Sequence, residues 1–307
     1  MDNLKCFLFM AAAVCLSACS SSPSGSEPEP EPEPSVSQRI PINLNVGCGL
    51  YEQEKTGTRI ADTYFEPEDA IGLYVASGIG MGASSNYVNN VRCVYTSSAA
   101  WKPDTELYWK DETTPSDFYA YYPYTAQLAD ATALAFQVKA DQSSLVDYKR
   151  SDLVWGRTMG VQPTEEAVMI QTRHLMANLV VEVRPGNGFT QEKLDAAEVK
   201  VKVEGLQTAA RVNLSDGSLA AEGEARVLSA CYIDQKYKLL VVPQTTVGAV
   251  TVVVVIDGSE FKLQKTLSLQ GGHRYTLPMT VNKTSNGINV SIDDWIDDGI
   301  DNGGVAE

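Results

Sequence analysis

From Arg39 onward apolar residues recur at every second position, and that period is the strongest constraint on how this chain folds. Ile40, Ile42, Leu44 and Val46 alternate with Pro41, Asn43 and Asn45. Successive side chains of an extended backbone point to opposite faces, so this run buries one face and wets the other. Residues 70–75 and 118–122 read as further strands, the second closed by Pro123. Residues 175–183 form a longer candidate, ended by Pro185-Gly186, and residues 237–242 another, ended by Pro243. Residues 274–281 follow the turn at Gly271-Gly272, and Ile288, Val290 and Ile292 make the last alternating run. Asp216-Gly217 and Asp257-Gly258 each lie between apolar runs, where a hairpin needs the positive φ that glycine adopts cheaply. Residues 190–197 are expected as one short helix. Many short strands with frequent turns place the chain in the all-β class, with β-sandwiches as the expected architecture. A length of 307 residues favours two domains. Strand clustering divides them into residues 39–167 and residues 168–307, the latter ending in an acidic tail.

Charge narrows the function classes. Lys and Arg number 24 against 39 Asp and Glu, a net charge of −15. That argues against a basic groove for nucleic acid, and nucleic acid is not an expected partner. Only two histidines, His174 and His273, are present, so histidine-rich metal centres and most imidazole catalysis are disfavoured. Both are expected as structural or surface residues. The sequence has no GxSxG and no HExxH, so no catalytic residues, metal ligands or cofactors are assigned.

The first residues carry an address. Lys5 precedes an apolar stretch over residues 7–16, the size of a signal-peptide core. Leu16-Ser17-Ala18-Cys19 then matches a lipobox: an aliphatic residue, two small ones and the cysteine whose thiol accepts the lipid. Cleavage is expected between Ala18 and Cys19, leaving residues 1–18 as a signal peptide and Cys19 as the lipid attachment site. In residues 19–38, four Glu-Pro pairs run from Glu27 to Pro34. Proline favours extended geometry and like charges repel, so this stretch reads as a stiff tether. Cys48, Cys93 and Cys231 remain in the body with no zinc or CxxC spacing. They read as isolated, mostly buried thiols, with one disulfide at most.

Other motifs resolve to ordinary roles. Gly78-Ile79-Gly80-Met81-Gly82-Ala83 fits a dinucleotide fingerprint, but no amphipathic helix follows to cradle a pyrophosphate, so a flexible loop is expected. Asp293, Asp294, Asp297, Asp298 and Asp301 miss the calcium-loop register and read as solvated charge. Trp101, Trp109 and the tyrosines of 119–124 suit core packing, although sugar stacking is the alternative.

An ordered series of landmarks resembles the fimbrillin family of Bacteroidetes, the lipoprotein subunits of type V pili. The series begins with Thr58-Arg59 and Phe65-Glu66-Pro67-Glu68-Asp69-Ala70-Ile71-Gly72-Leu73. Trp101, Phe118-Tyr119-Ala120-Tyr121-Tyr122-Pro123 and Ser151-Asp152-Leu153-Val154-Trp155 follow. His174-Leu175-Met176-Ala177-Asn178-Leu179, Gly271-Gly272-His273-Arg274-Tyr275 and residues 292–295 complete it. The resemblance implies two tandem transthyretin-like β-sandwiches and no enzymatic activity. It also implies outer-membrane export as a lipoprotein, an arginine-specific cut that removes an N-terminal strand, and a fimbrium assembled when another subunit's strand fills the vacated groove. The plug strand is then Ile40, Ile42, Leu44 and Val46, and the maturation site lies between Arg59 and Ile60, with Arg39 as the rival. The implied partners are other fimbrial subunits, the outer membrane before processing, and a host or bacterial surface receptor. Residues 296–307 are acid- and glycine-rich, unlike a donated strand, which points toward a tip or accessory subunit. The competing reading is a surface lipoprotein that binds glycans without polymerising.

Substituting Cys19→Ala is expected to abolish labelling by a clickable palmitate analogue and to release the chain from membranes. Undiminished labelling of the variant counts against lipidation there.

Overall fold

Some strands of the computed structural model alternate buried and exposed side chains and others are buried on both faces; it describes residues 39–49, 65–78, 80–284, 287–292 and 296–297. The first elements are β1 (Asn43–Cys48), β2 (Ala70–Ser77), β3 (Asn86–Tyr95), β4 (Trp101–Pro103), β5 (Ser116–Tyr122) and β6 (Leu134–Gln137). Helix α1 (Leu145–Arg150), β7 (Val154–Val161), β8 (Ala167–His174), β9 (Ala177–Pro185) and helix α2 (Gln191–Ala196) follow. Then come β10 (Val199–Asn213), β11 (Ser218–Ser229), β12 (Cys231–Ile233), β13 (Lys236–Val241) and β14 (Gln244–Thr245). The described elements close with β15 (Val250–Ile256), β16 (Ser259–Lys265), β17 (Ser268–Leu269), β18 (Arg274–Thr284), β19 (Gly287–Ile292) and β20 (Ile296–Asp297). The chain is all-β, as expected.

Seven strands form the first sheet, in the order β1-β8-β7-β5-β2-β3-β4. A second sheet runs β11-β10-β15-β16, with β6 joining β10, and a third runs β12-β13-β9-β18-β19, with β20 on β18. The chain leaves the first sheet at His174 and enters the third at Ala177, so the expected change-over at 167/168 falls inside β8. Val168, Ile170 and Thr172 in β8 are buried while Ala167, Met169, Gln171 and Arg173 are exposed.

The hairpin signals hold. Asp257 and Gly258 both have positive φ, 47° and 82°, between the paired residues Ile256 and Ser259. This is the twist that two-residue hairpins prefer. Asp234 and Gln235 make the same kind of turn without a glycine, at φ 52° and 61°. The 190–197 helix is present as α2, with the Thr190 side chain accepting from the Lys193 N–H. Helix α1 was not anticipated from the pattern. Its signal is Ser144, whose hydroxyl accepts from the Asp147 N–H at 3.1 Å.

The first sheet has an apolar core on each face. Ile71, Leu73, Val75, Phe118, Ala120, Val168 and Ile170 pack on one side, closed over by Trp101, Leu107 and Trp109. Tyr74, Tyr119, Tyr121 and Trp155 point the other way, into a larger cluster shared with the second and third sheets. Trp155 is the joint between them. Its indole N–H donates to the Leu214 carbonyl at 2.8 Å, and the turn at Gly217 lies flat against its ring. A Cβ on Gly217 would stand 2.4 Å from Trp155 Cε3. Gly217 also holds φ at +72°, where a side chain is strained.

Gly217→Ala is therefore expected to cost about 2–4 kcal/mol, combining left-handed strain with an overpacked ring contact. Urea denaturation checks this. A change within experimental error means that the turn moves off the indole freely.

Candidate functional site

Strand β1 is the element whose placement constrains function most, because its long-range ladder is one-sided. It pairs with β8 in parallel, Leu44 opposite Val168 and Val46 opposite Ile170. Apolar side chains of β1 and of the residues just before it enter the first core: Ile42 and Val46 are buried, Ile40 and Leu44 are half-buried against the same cluster. On its other side a loop makes short contacts. The Ile42 N–H donates to the Leu107 carbonyl at 2.8 Å, and the Trp109 N–H to the Ile40 carbonyl at 3.0 Å. The Trp101 indole N–H donates to the Val46 carbonyl at 3.1 Å in a buried setting. The seat is thus a slot between the edge of β8 and the 101–109 segment. Removing β1 would leave the Trp101 indole and the β8 edge without partners, and buried polar groups without partners cost roughly 1–3 kcal/mol each.

The far end of the strand is fastened by a main-chain bond and by side chains. Thr172 Oγ1 donates to the Gly47 carbonyl at 2.9 Å, and the Gly49 N–H donates to the Thr172 carbonyl at 2.8 Å. Cys48 Sγ lies 3.6 Å from His174 Nε2. Across the ring, His174 Nδ1 is 2.7 Å from Asp152 Oδ2. His174 is buried, at 2% exposure, and Asp152 is largely so. Burial pushes the imidazole toward its neutral form, but Asp152 and Cys48 outweigh it, and the His174 pKa is raised to about 10. At neutral pH the ring is an imidazolium with one N–H facing the carboxylate and the other facing sulfur.

Residues 58–295 match the family described as Fimbrillin-like. The chain belongs to that family. This fimbrillin-like chain is 23% identical over 254 residues to the Bacteroides uniformis protein named "Putative fimbrium subunit Fim1C", covering 78% of this chain and 82% of the other. The crystal structure of a "putative cell adhesion protein" from Bacteroides uniformis shares its fold, with a TM-score of 0.65 at 20% identity over 86% of this chain and 99% of that one. A "putative cell adhesion protein" from Bacteroides ovatus does so with a TM-score of 0.66 at 16% identity, over 85% and 98%. The family match begins at residue 58, so β1 lies outside it.

The structure gathers some of the residues singled out in the fimbrillin-like sequence and not others. Leu44 and Val46 lie in β1, whereas Ile40 and Ile42 lie in the segment just before it, and all four pack in or against one apolar cluster. Ala18, Cys19, Arg59 and Ile60 lie outside the described residues. Arg39, the rival cut site, is exposed at the entry to β1, its guanidinium 5.9 Å from the Tyr108 ring centre. Trp101 and Trp109 are buried with their indole N–H groups bonded to main-chain carbonyls, so neither offers a face to a sugar. The glycine stretch leads into β3, a strand. The Gly80 N–H donates to Asp117 and the Met81 N–H to the Tyr119 hydroxyl, each at 3.1 Å, so those residues of the expected flexible loop are fastened to β5. Cys48, Cys93 and Cys231 are all free thiols. The grouping of Cys48, Asp152 and His174 was missed, and no local signal gives it: Cys48 and His174 are 126 positions apart.

Because the His174 pKa is raised on folding, its contribution to stability is full below the ordinary imidazole value of 6.5 and is lost as pH climbs through about 10. Stability is expected to decline across that interval, and Asp152→Asn to flatten the decline. Urea midpoints at pH 6, 8 and 10 check this, and parallel profiles for the two proteins refute it.

Proposed function

We propose that this chain is a structural or adhesive subunit of a type V pilus, exported as an outer-membrane lipoprotein through Cys19 and assembled by strand exchange after an arginine-specific cut at Arg59-Ile60. The observation that carries the reading is the seat of β1. An N-terminal segment, with Ile40 and Ile42 just ahead of β1 and Leu44 and Val46 within it, fills a slot, and it lies before the span that matches the family. An exposed or vacated sheet edge is a template for another strand, since backbone bonds supply affinity and alternate side-chain pockets supply register. Full burial of an aliphatic side chain is worth about 1.5–3 kcal/mol, so Ile42 and Val46 alone make the empty seat worth roughly 3–6 kcal/mol to refill.

Family membership and the relative named as a fimbrium subunit support a cell-surface appendage as the destination. The reading retains two tandem transthyretin-like units near residues 39–167 and 168–307, with the larger apolar cluster drawing on residues from both. It makes other fimbrial subunits the partners, the outer membrane an anchor before processing, and a surface receptor the target of an adhesive form. The residues Ile288, Val290 and Ile292 lie in β19, which pairs with β18 of the chain's own sheet. That favours a tip or accessory subunit, one that accepts a strand while keeping its own.

Treatment of the purified precursor with an Arg-specific protease is expected to give a new N-terminus at Ile60 and a body of lower melting temperature. A peptide spanning residues 39–49, added back, is expected to restore the melting temperature. A mature surface form that still begins before Ile40, or normal assembly by Arg59→Ala, overturns the mechanism.

A further inference from the structure

Cys48 stands where chemistry and mechanics meet. It is the last residue of β1, and β1 has only β8 as a strand partner among the described residues. Cys48 as a residue is half-buried, whereas Cys93 and Cys231 are buried in the apolar clusters. Three groups of different chemistry are in line: a thiol from the edge strand, then an imidazole from the end of β8, then a carboxylate just after α1. The imidazole and carboxylate belong to the body, and only the thiol belongs to the strand.

We propose that Cys48 is a redox-responsive modification site that unlatches the end of β1, taking a low-molecular-weight disulfide to form a mixed disulfide. The step balances without any further reagent. The Cys48 sulfur attacks one sulfur of the disulfide, a new S–S bond forms as the old one breaks, and the departing thiolate takes up the proton that the Cys48 thiol gives up. A thiol reductant reverses it.

The geometry explains why an adduct opens the strand. The Cys48 sulfur is seated 3.6 Å from the ring of His174, which is 2% exposed and held in place by Asp152. A second sulfur and its substituent must share the space around that contact with a ring that is itself buried, and added volume beside a packed group is poorly tolerated. Relief comes from the strand, because its end is held by few bonds. The Gly49 N–H to Thr172 and the Thr172 hydroxyl to Gly47 are the last two. Once they part, the imidazolium gains water at Nε2 while keeping Asp152, so the body loses little. Opening runs from Gly49 back toward Val46, whose carbonyl is held by the Trp101 indole.

The inference goes beyond strand exchange and needs no cut at Arg59, so it is tested on the uncut chain. The probe is glutathione disulfide, followed by peptide mapping of residues 40–55 and by amide hydrogen exchange. Glutathione is expected on Cys48 and not on Cys93 or Cys231. In the modified protein, exchange over residues 46–49 is expected to rise about tenfold or more while β2 and β5 stay protected, the mark of local opening. Dithiothreitol is expected to restore the original exchange, and Cys48→Ser to keep β1 seated and insensitive to the reagent. Three outcomes overturn the proposal: no adduct at Cys48 in the folded chain, an adduct without faster exchange at 46–49, or faster exchange that spreads equally through β2 and β5. None of these bears on whether Arg59 is cut, and failure at Arg59 leaves the adduct result standing.

Discussion

The open edge of β8 is the constraint on which the rest depends. A strand in the middle of a sheet has both rows of backbone groups paired by its neighbours. β8 has β7 on one side and needs something on the other, because its Val168, Ile170 and Thr172 side chains are already committed to a buried face. The chain supplies that partner from its own N-terminal segment, as a parallel strand. Parallel pairing is slightly weaker per residue than antiparallel. The seat is made up by apolar burial and by the Trp101 indole, whose hydrogen bond to Val46 is meaningful only because that site is dry.

A replaceable edge requires that the rest of the sheet stay put. The first sheet meets that requirement by packing on both faces. The face that holds β1 closes over with Trp101, Leu107 and Trp109. The opposite face delivers Tyr74, Tyr119, Tyr121 and Trp155 into the cluster shared with the other two sheets. Trp155 locks this second contact by hydrogen bonding Leu214 and by stacking on Gly217. Loss of β1 therefore removes one wall of one core, while β7, β5 and β2 remain anchored through the other. The same double anchoring is why a disturbance at Cys48 has a local route to relief.

The strands that were legible in the sequence are those where a period or a turn is undiluted. Ile40 to Val46 alternates without a break, and Asp257-Gly258 sits where a two-residue turn demands it. β8 was harder to see, since Met169 stands exposed between buried Val168 and Ile170, and four apolar residues in a row, 167–170, blur a period of two. The turn at Asp234-Gln235 adopts positive φ without glycine, so its composition carries no signal. Sequence read Cys48 as an isolated thiol and His174 as a structural or surface residue, whereas the structure brings the two within 3.6 Å. Their meeting is set by the parallel register of β1 on β8, and parallel pairing joins segments that no hairpin connects. Register between distant strands is the part of this fold that residue patterns leave open, and the candidate site is made of little else.

On the strand-exchange reading, the way β1 is held also decides how it leaves. Removing the whole strand at once would expose every apolar contact and every ladder bond together. An incoming strand that starts where β1 frays need compete with only one or two residues at a time, and the cost of each step stays small. The entry end is held by main-chain bonds from Ile42 to Leu107 and from Trp109 to Ile40, with Pro41 opposite Tyr108. The exit end is held by the Thr172 contacts and by a sulfur against an imidazole. Main-chain bonds at the entry end are indifferent to chemistry. The exit end adds to its Thr172 bonds one contact, thiol against imidazole, that protonation and oxidation change, so the same strand can be firmly seated in the intact subunit and still have one end from which exchange begins.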